Sequence, residues 1–240
     1  MKKLFLALMM AAGMSVAQAQ VTGNLGLTSD YRFRGVSQTQ NAPAVQGGID
    51  YAHSSGFYAG NWNSSVSSLM YTNGAGVESD LYAGFKKDVY KGFTIDVGSM
   101  NYFYPRATTT TGGNNFDTNE LYVGVGYKEL FSAKYSQSLG NYFGTANSSN
   151  SSYAQADVAI PVYGKLTAVA HVGRTSVNNN SSLNYTDYNV GVAYDLQGWM
   201  LAGKYYTNAT EGSNFQTANT VNGQRLYKDT FVVSVTKSFN

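Results

Sequence analysis

The sequence contains no cysteine, which excludes both a disulfide framework and a thiolate metal site. It also lacks a charge bias: 16 Lys and Arg stand against 14 Asp and Glu. Setting aside Lys2 and Lys3, which lie in a leader segment, 16 − 2 leaves 14 against 14. A near-neutral chain carries neither a nucleic-acid footprint nor a polybasic membrane-surface patch. Charged residues make up 12% of the chain, about half the share of an ordinary soluble domain. After Met14 there is no long apolar run, so no helix can span about 30 Å of hydrocarbon. Proline is scarce as well, at 3 residues, while Gly reaches 26 and Tyr 20.

The N-terminus reads as an export signal. Lys2 and Lys3 form a positive region, Leu4 to Met14 a short apolar stretch, and Ala17-Gln18-Ala19 an A-x-A cleavage site. Cleavage between Ala19 and Gln20 divides the chain into a signal peptide, residues 1–19, and one domain, residues 20–240.

That domain alternates with period 2. Tyr188, Val190, Val192, Tyr194 and Leu196 alternate with Asn189, Gly191, Ala193 and Asp195. Leu121, Val123, Val125 and Tyr127 repeat the pattern, as do Phe231, Val233, Val235 and Phe239. Period 2 places each set on one face of a strand. Strands are expected at 22–34, 43–53, 56–66, 77–88, 92–104, 116–128, 130–141, 152–160, 164–175, 184–195, 198–207 and 228–239.

Their connections alternate in length. Short turns fall at His53–Gly56, Val89–Gly92, Lys128–Leu130, Pro161–Gly164 and Asp195–Gly198. Longer polar segments fall at 35–42, 67–76, 105–115, 142–151, 176–183 and 208–227. Tight turns on one side and long loops on the other mark a transmembrane antiparallel up-and-down β-barrel of about twelve strands, with both termini periplasmic and the long loops extracellular. A soluble sandwich or lipocalin-like barrel has no reason to sort its loops this way. Tyr90, Phe93, Tyr102, Tyr104, Tyr127, Phe131, Tyr163, Tyr194 and Trp199 near strand ends fit two interfacial girdles.

Parity then assigns a lumen. Leu25, Leu27, Tyr31 and Phe33 share one face of the first strand, and Asp30, Arg32 and Arg34 share the other. Asp50, Asp80, Lys86, Asp96, Glu120, Lys128, Lys134, Asp157, His171, Asp187, Asp195 and Lys204 have inward parity too. Arg32 and Arg34 are candidates for a constriction that selects anions or small polar solutes. The competing reading is a salt-bridged lumen that fills the barrel, since twelve strands lie between a filled wall of eight and an open channel of sixteen.

Ser29-Asp30-Tyr31-Arg32-Phe33-Arg34-Gly35-Val36-Ser37-Gln38-Thr39 resembles the opening motif of the TorF porin family. The resemblance continues through Pro43 to Tyr51 and Ser55 to Gly60. Tyr102-Phe103-Tyr104-Pro105, Lys134-Tyr135-Ser136 and Ala170 to Arg174 add weaker matches. The resemblance implies a bacterial outer-membrane barrel acting as a porin, and it names no solute. Partners implied by this class are outer-membrane lipid and lipopolysaccharide, periplasmic chaperones, the barrel-assembly machinery and small hydrophilic solutes. Such barrels usually end in an aromatic assembly signal. Here Phe239 is the expected signal and Asn240 follows it, so the signal is either shifted by one position or weaker.

No catalytic motif, cofactor site or metal site is expected. His53 and His171 are isolated and lack zinc-ligand spacing. Gly47-Gly48 and Gly124-Val125-Gly126 lie inside expected strands with no helix following, so they are not phosphate loops. Three functions follow for test: a diffusion channel for small hydrophilic solutes, a closed barrel working through its extracellular loops, and a barrel-wall lipid hydrolase built on His171. The third demands a lipid-accessible serine beside that histidine, and the inward parity of His171 argues against it.

Overall fold

The structure is a computed structural model that describes residues 19–71, 73–109, 113–210 and 214–240. All of the expected signal peptide except Ala19 lies outside the described residues.

Twelve strands close into one antiparallel barrel. They are β1 (Gln20–Thr28), β2 (Ala44–Ala52), β3 (Phe57–Ser65), β4 (Val77–Tyr90), β5 (Phe93–Phe103), β6 (Thr118–Tyr127), β7 (Phe131–Ser138), β8 (Ser152–Tyr163), β9 (Leu166–Ser176), β10 (Tyr185–Leu196), β11 (Trp199–Thr210) and β12 (Thr230–Phe239). Each strand pairs with its sequence neighbour. β12 closes on β1 in the register Gly23–Phe239 to Thr28–Ser234. Closure satisfies the backbone polar groups within the sheet and leaves no edge.

Turn chemistry sets the hairpins. Lys91-Gly92 and Gln197-Gly198 both have positive φ at both positions (46° and 89°, 54° and 84°). Two left-handed residues in a row match the twist of a two-residue hairpin. The five short turns, Gln20 and Phe239 lie at the same end of the barrel.

The faces are inverted relative to a soluble protein. Leu121, Val123 and Val125 are 50%, 48% and 55% exposed, and the equivalent residues of β10 behave alike. The same strands turn Glu120, Asp187 and Ala193 inward, where they are buried. Two inward glycines allow close packing of rings against the wall. A side chain at Gly84 would collide with the Tyr58 ring, and one at Gly98 with the Tyr122 ring.

Three expectations are corrected. The first strand ends at Thr28 rather than at residue 34, because the chain bends inward at Ser29 and Asp30. Tyr31 consequently lies inside the barrel at 8% exposure, and Phe33 packs against the same interior cluster. Tyr102 and Tyr104 also point inward, 5% and 1% exposed, so they belong to no girdle. The remaining girdle aromatics lie at the short-turn end. At the loop end, Phe103, Tyr188, Tyr205 and Phe231 form the outward set.

Candidate functional site

The segment between β1 and β2, residues 29–43, folds into the barrel mouth. Arg32 and Phe33 pair with Ser37 and Val36 in a miniature hairpin. Its tip is Arg34-Gly35, with φ of 48° and 77°. Asp30 organises the hairpin. One carboxylate oxygen accepts from Arg32 Nε at 2.7 Å, and the other accepts from Ser37 Oγ at 2.6 Å and Thr39 Oγ1 at 3.2 Å. Arg32 also donates to the Leu226 carbonyl at 2.8 Å and to Asn41 Oδ1 at 2.9 Å. Its charge is therefore committed within the loop layer, tying the first loop to the last.

Arg34 reaches across the lumen. Its guanidinium donates to both carboxylate oxygens of Glu120 on β6, at 2.9 and 2.6 Å, and to the Tyr142 hydroxyl at 3.0 Å. It lies 4.2 Å from the Tyr153 ring centroid. β6 is five strands around the barrel from β1. The hairpin thus spans the lumen rather than lining one wall. A bidentate, buried pair of this kind is geometrically specific. Burial works against the arginine charge, but the Glu120 carboxylate outweighs it and holds the guanidinium charged well past its ordinary range. On the other sides, Asn208 donates to the Gly35 carbonyl at 3.1 Å and Tyr31 donates to Glu78 Oε1 at 3.1 Å. Tyr71 donates to Gln38.

Below the hairpin, inward polar side chains form wall networks. Asp96 accepts from the Tyr58 hydroxyl at 2.6 Å, and Tyr58 in turn contacts the Tyr122 hydroxyl. Lys134 sits 5.2 Å over the Tyr122 ring. Tyr82 donates to Asp50. Lys86 lies opposite Asp96 in the β4–β5 register, and Lys204 lies opposite Gly191 in the β10–β11 register. His171 is held between two carboxylates: Nδ1 is 2.7 Å from Asp157 and Nε2 is 3.1 Å from Asp187. The Tyr153 hydroxyl is 3.0 Å from the same Nε2. With both ring nitrogens so engaged, His171 is placed as a structural bridge between β8, β9 and β10.

Two candidates fall outside the lumen. Lys128 lies in the short turn after β6, exposed, with φ of 50°. Its parity is lost because the strand ends at Tyr127. Asp195 sits at the β10 end, where it accepts from the Gly198 backbone N–H at 2.6 Å and faces Lys165 at 3.8 Å. It caps a turn. Phe239 ends β12 on the outer face, 53% exposed. Glu78 is the inward residue that sequence reasoning passed over, although it has the same parity as Asp80. Both are fully buried.

Solved structures share this architecture. The NanC porin matches with a TM-score of 0.59 at 12% identity, covering 92% of this chain and 100% of that one. The KdgM porin matches at 0.57 and 10% identity, covering 91% and 99%. KdgM in complex with disordered oligogalacturonate also matches at 0.57, with 9% identity and 92% and 99% coverage. At such identities the likeness establishes the fold, a porin-like barrel. No curated protein matches the sequence. A family model does, across residues 12–239, and it describes a bacterial protein of unknown function, Gcw_chp. The chain belongs to the Gcw_chp family.

Proposed function

We propose that the chain is an outer-membrane channel for passive diffusion of small hydrophilic solutes, narrowed by its first loop. The observation that carries this reading is a closed twelve-strand barrel whose outside is apolar and whose inside is charged. An apolar outer face suits lipid, and a closed sheet is one of two structures that can cross it. The reading includes a signal peptide over residues 1–19, periplasmic termini, and Phe239 as the signal read by the assembly machinery. It also includes membership of the TorF porins, supported by the Ser29–Thr39 segment that forms the inserted hairpin. Lipopolysaccharide and periplasmic chaperones are its expected partners in place and in transit.

The channel lumen under this reading is lined by Asp50, Lys86, Asp96, Lys134, Asp157 and Lys204, with Arg34, Asp80 and Glu120 at the narrow level. The polyanionic oligogalacturonate of the KdgM complex is not carried over to this chain. Both first-loop arginines are already paired with carboxylates, so they offer it no free basic track. Purified, folded protein in planar bilayers should give stepwise conductance. Folded protein that never conducts overturns the channel reading.

A second reading, a closed barrel working through its loops, is favoured by the hairpin that crosses the mouth. Non-conducting but folded protein would select it. Lipid hydrolysis has no support in the geometry, because His171 faces two aspartates and a tyrosine rather than a serine.

A further inference from the structure

Among the inward carboxylates, those on β4 stand apart. Asp80 is completely buried, and neither of its carboxylate oxygens has a hydrogen-bond partner. Glu78, also completely buried, has one oxygen occupied by Tyr31, while the other makes no hydrogen bond although Tyr104 lies near the carboxylate. Buried carboxylates are normally paired, because removing them from water is costly. The arginine of this region is committed elsewhere, to Glu120. To the carboxylates at this level, Asp30, Glu78, Asp80, Glu120 and Asp187, the hairpin brings only Arg32 and Arg34.

The surroundings of Asp80 are aromatic. In register it lies between Trp62 on β3 and Tyr102 on β5. Tyr31 covers the group from the first loop, its ring 5.3 Å from Trp62 at an edge-on angle of 62°. Carboxylate oxygens without donors, set among aromatic rings, match the chemistry of an organic cation: the carboxylates meet its charge and N–H donors, and ring faces replace its hydration. A hard divalent ion fits less well, since it takes six or more oxygens and no group of three metal-ligating side chains occurs among the described residues. An anion would meet carboxylates on every side.

We propose that Asp80 and Glu78, with Trp62 and Tyr102, form a binding site for the ammonium or guanidinium group of a small hydrophilic solute, uncovered when the first loop withdraws and takes Tyr31 with it. The solute's N–H groups then take the place of the Tyr31 hydroxyl on Glu78 and supply the donors that Asp80 lacks. Only the step from binding to passage rests on the channel reading. Under that reading the preferred solutes are cationic.

The chain offers its own reporter. It has two tryptophans, and Trp199 lies on the outer face at 49% exposure. A Trp199→Phe variant leaves Trp62 beside the site. Folded protein in detergent is titrated with arginine hydrochloride, potassium chloride and potassium glutamate at matched ionic strength. A saturable change in Trp62 emission is expected with arginine alone. Asp80→Asn should weaken that response by about tenfold or more, as loss of a charged hydrogen-bond acceptor implies. No response to arginine, an equal response to glutamate, or an unchanged response in Asp80→Asn overturns the proposal. The three-salt comparison needs no substitution at the site, so it decides even where Asp80→Asn fails to fold. Arginine binding without bilayer conductance overturns the channel reading and keeps the site. Conductance without arginine binding does the reverse.

Discussion

Arg34 leaves a left-handed turn and places its guanidinium between Glu120, Tyr142 and Tyr153. Both partners of this ion pair are nearly inaccessible, at 5% and 1%. Removing one partner of such a pair strands the other as a buried, unpaired charge, which costs about 3–5 kcal/mol. Arg34→Ala is therefore expected to destabilise the barrel by that amount in urea unfolding followed by tryptophan emission. Replacing both partners with apolar residues of similar size, Arg34→Met with Glu120→Leu, should cost far less, because no charge is left stranded. If the double variant is as unstable as Arg34→Ala, the desolvation account fails. Asp30 is a different case. It holds Arg32, Ser37 and Thr39 within one loop. Asp30→Asn should therefore loosen the hairpin locally, detected as faster proteolysis within residues 29–43, while the barrel's unfolding midpoint changes little.

At the scale of strands, the outward face carries the membrane reading. Val123 lies mid-strand on β6, whereas Leu196 ends β10 beside a short turn. Arginine at the midplane of a barrel's lipid face costs about 2–4 kcal/mol, falling to roughly 0–1 near the interface. Val123→Arg should therefore destabilise folding into phospholipid vesicles by the larger amount and Leu196→Arg by the smaller. Equal effects would mean that the outer band faces water. These strands were legible in the sequence because the period-2 pattern is a local property, and the run from Leu121 to Tyr127 on β6 and that from Tyr188 to Leu196 on β10 keep it without a break. The first loop was not legible for the same reason. Tyr31 and Phe33 continue the parity of Leu25 and Leu27, so a local period cannot tell a strand that proceeds from one that folds back into the lumen. The available signal was density of charge and a glycine: Asp30, Arg32, Arg34 and Gly35 cluster in a chain of 12% charge. Tyr102 and Tyr104 misled in a similar way, since proximity to a strand end suggested a girdle while their even parity, shared with Asp96, pointed inward. Lys128 and Asp195 were assigned by parity just where the strands give way to turns.

For the whole molecule, the hairpin that spans the mouth links two properties, orientation and permeability. The chain has no cysteine, so single cysteines can report sidedness. Asn179→Cys lies in a long loop and Ser54→Cys in a short turn. On intact cells a membrane-impermeant maleimide should label the first and spare the second until the outer membrane is opened, and the reverse pattern would invert the barrel. Permeability follows from how the hairpin is held. Its contacts reach β4 through Tyr31, β6 through Arg34 and β11 through Gly35, so it bridges distant parts of the wall. If that bridge sets the narrowest level, weakening it should widen the path while the twelve strands stay paired, even though the folded barrel is less stable. Arg34→Ala should then show larger or more frequent conductance steps than the parent in planar bilayers, at unchanged heat-modifiable gel migration. A parent and variant with the same step size and open time would place the constriction lower, among Asp96, Lys134 and the tyrosines of the wall, and would leave the first loop as a surface structure rather than a gate.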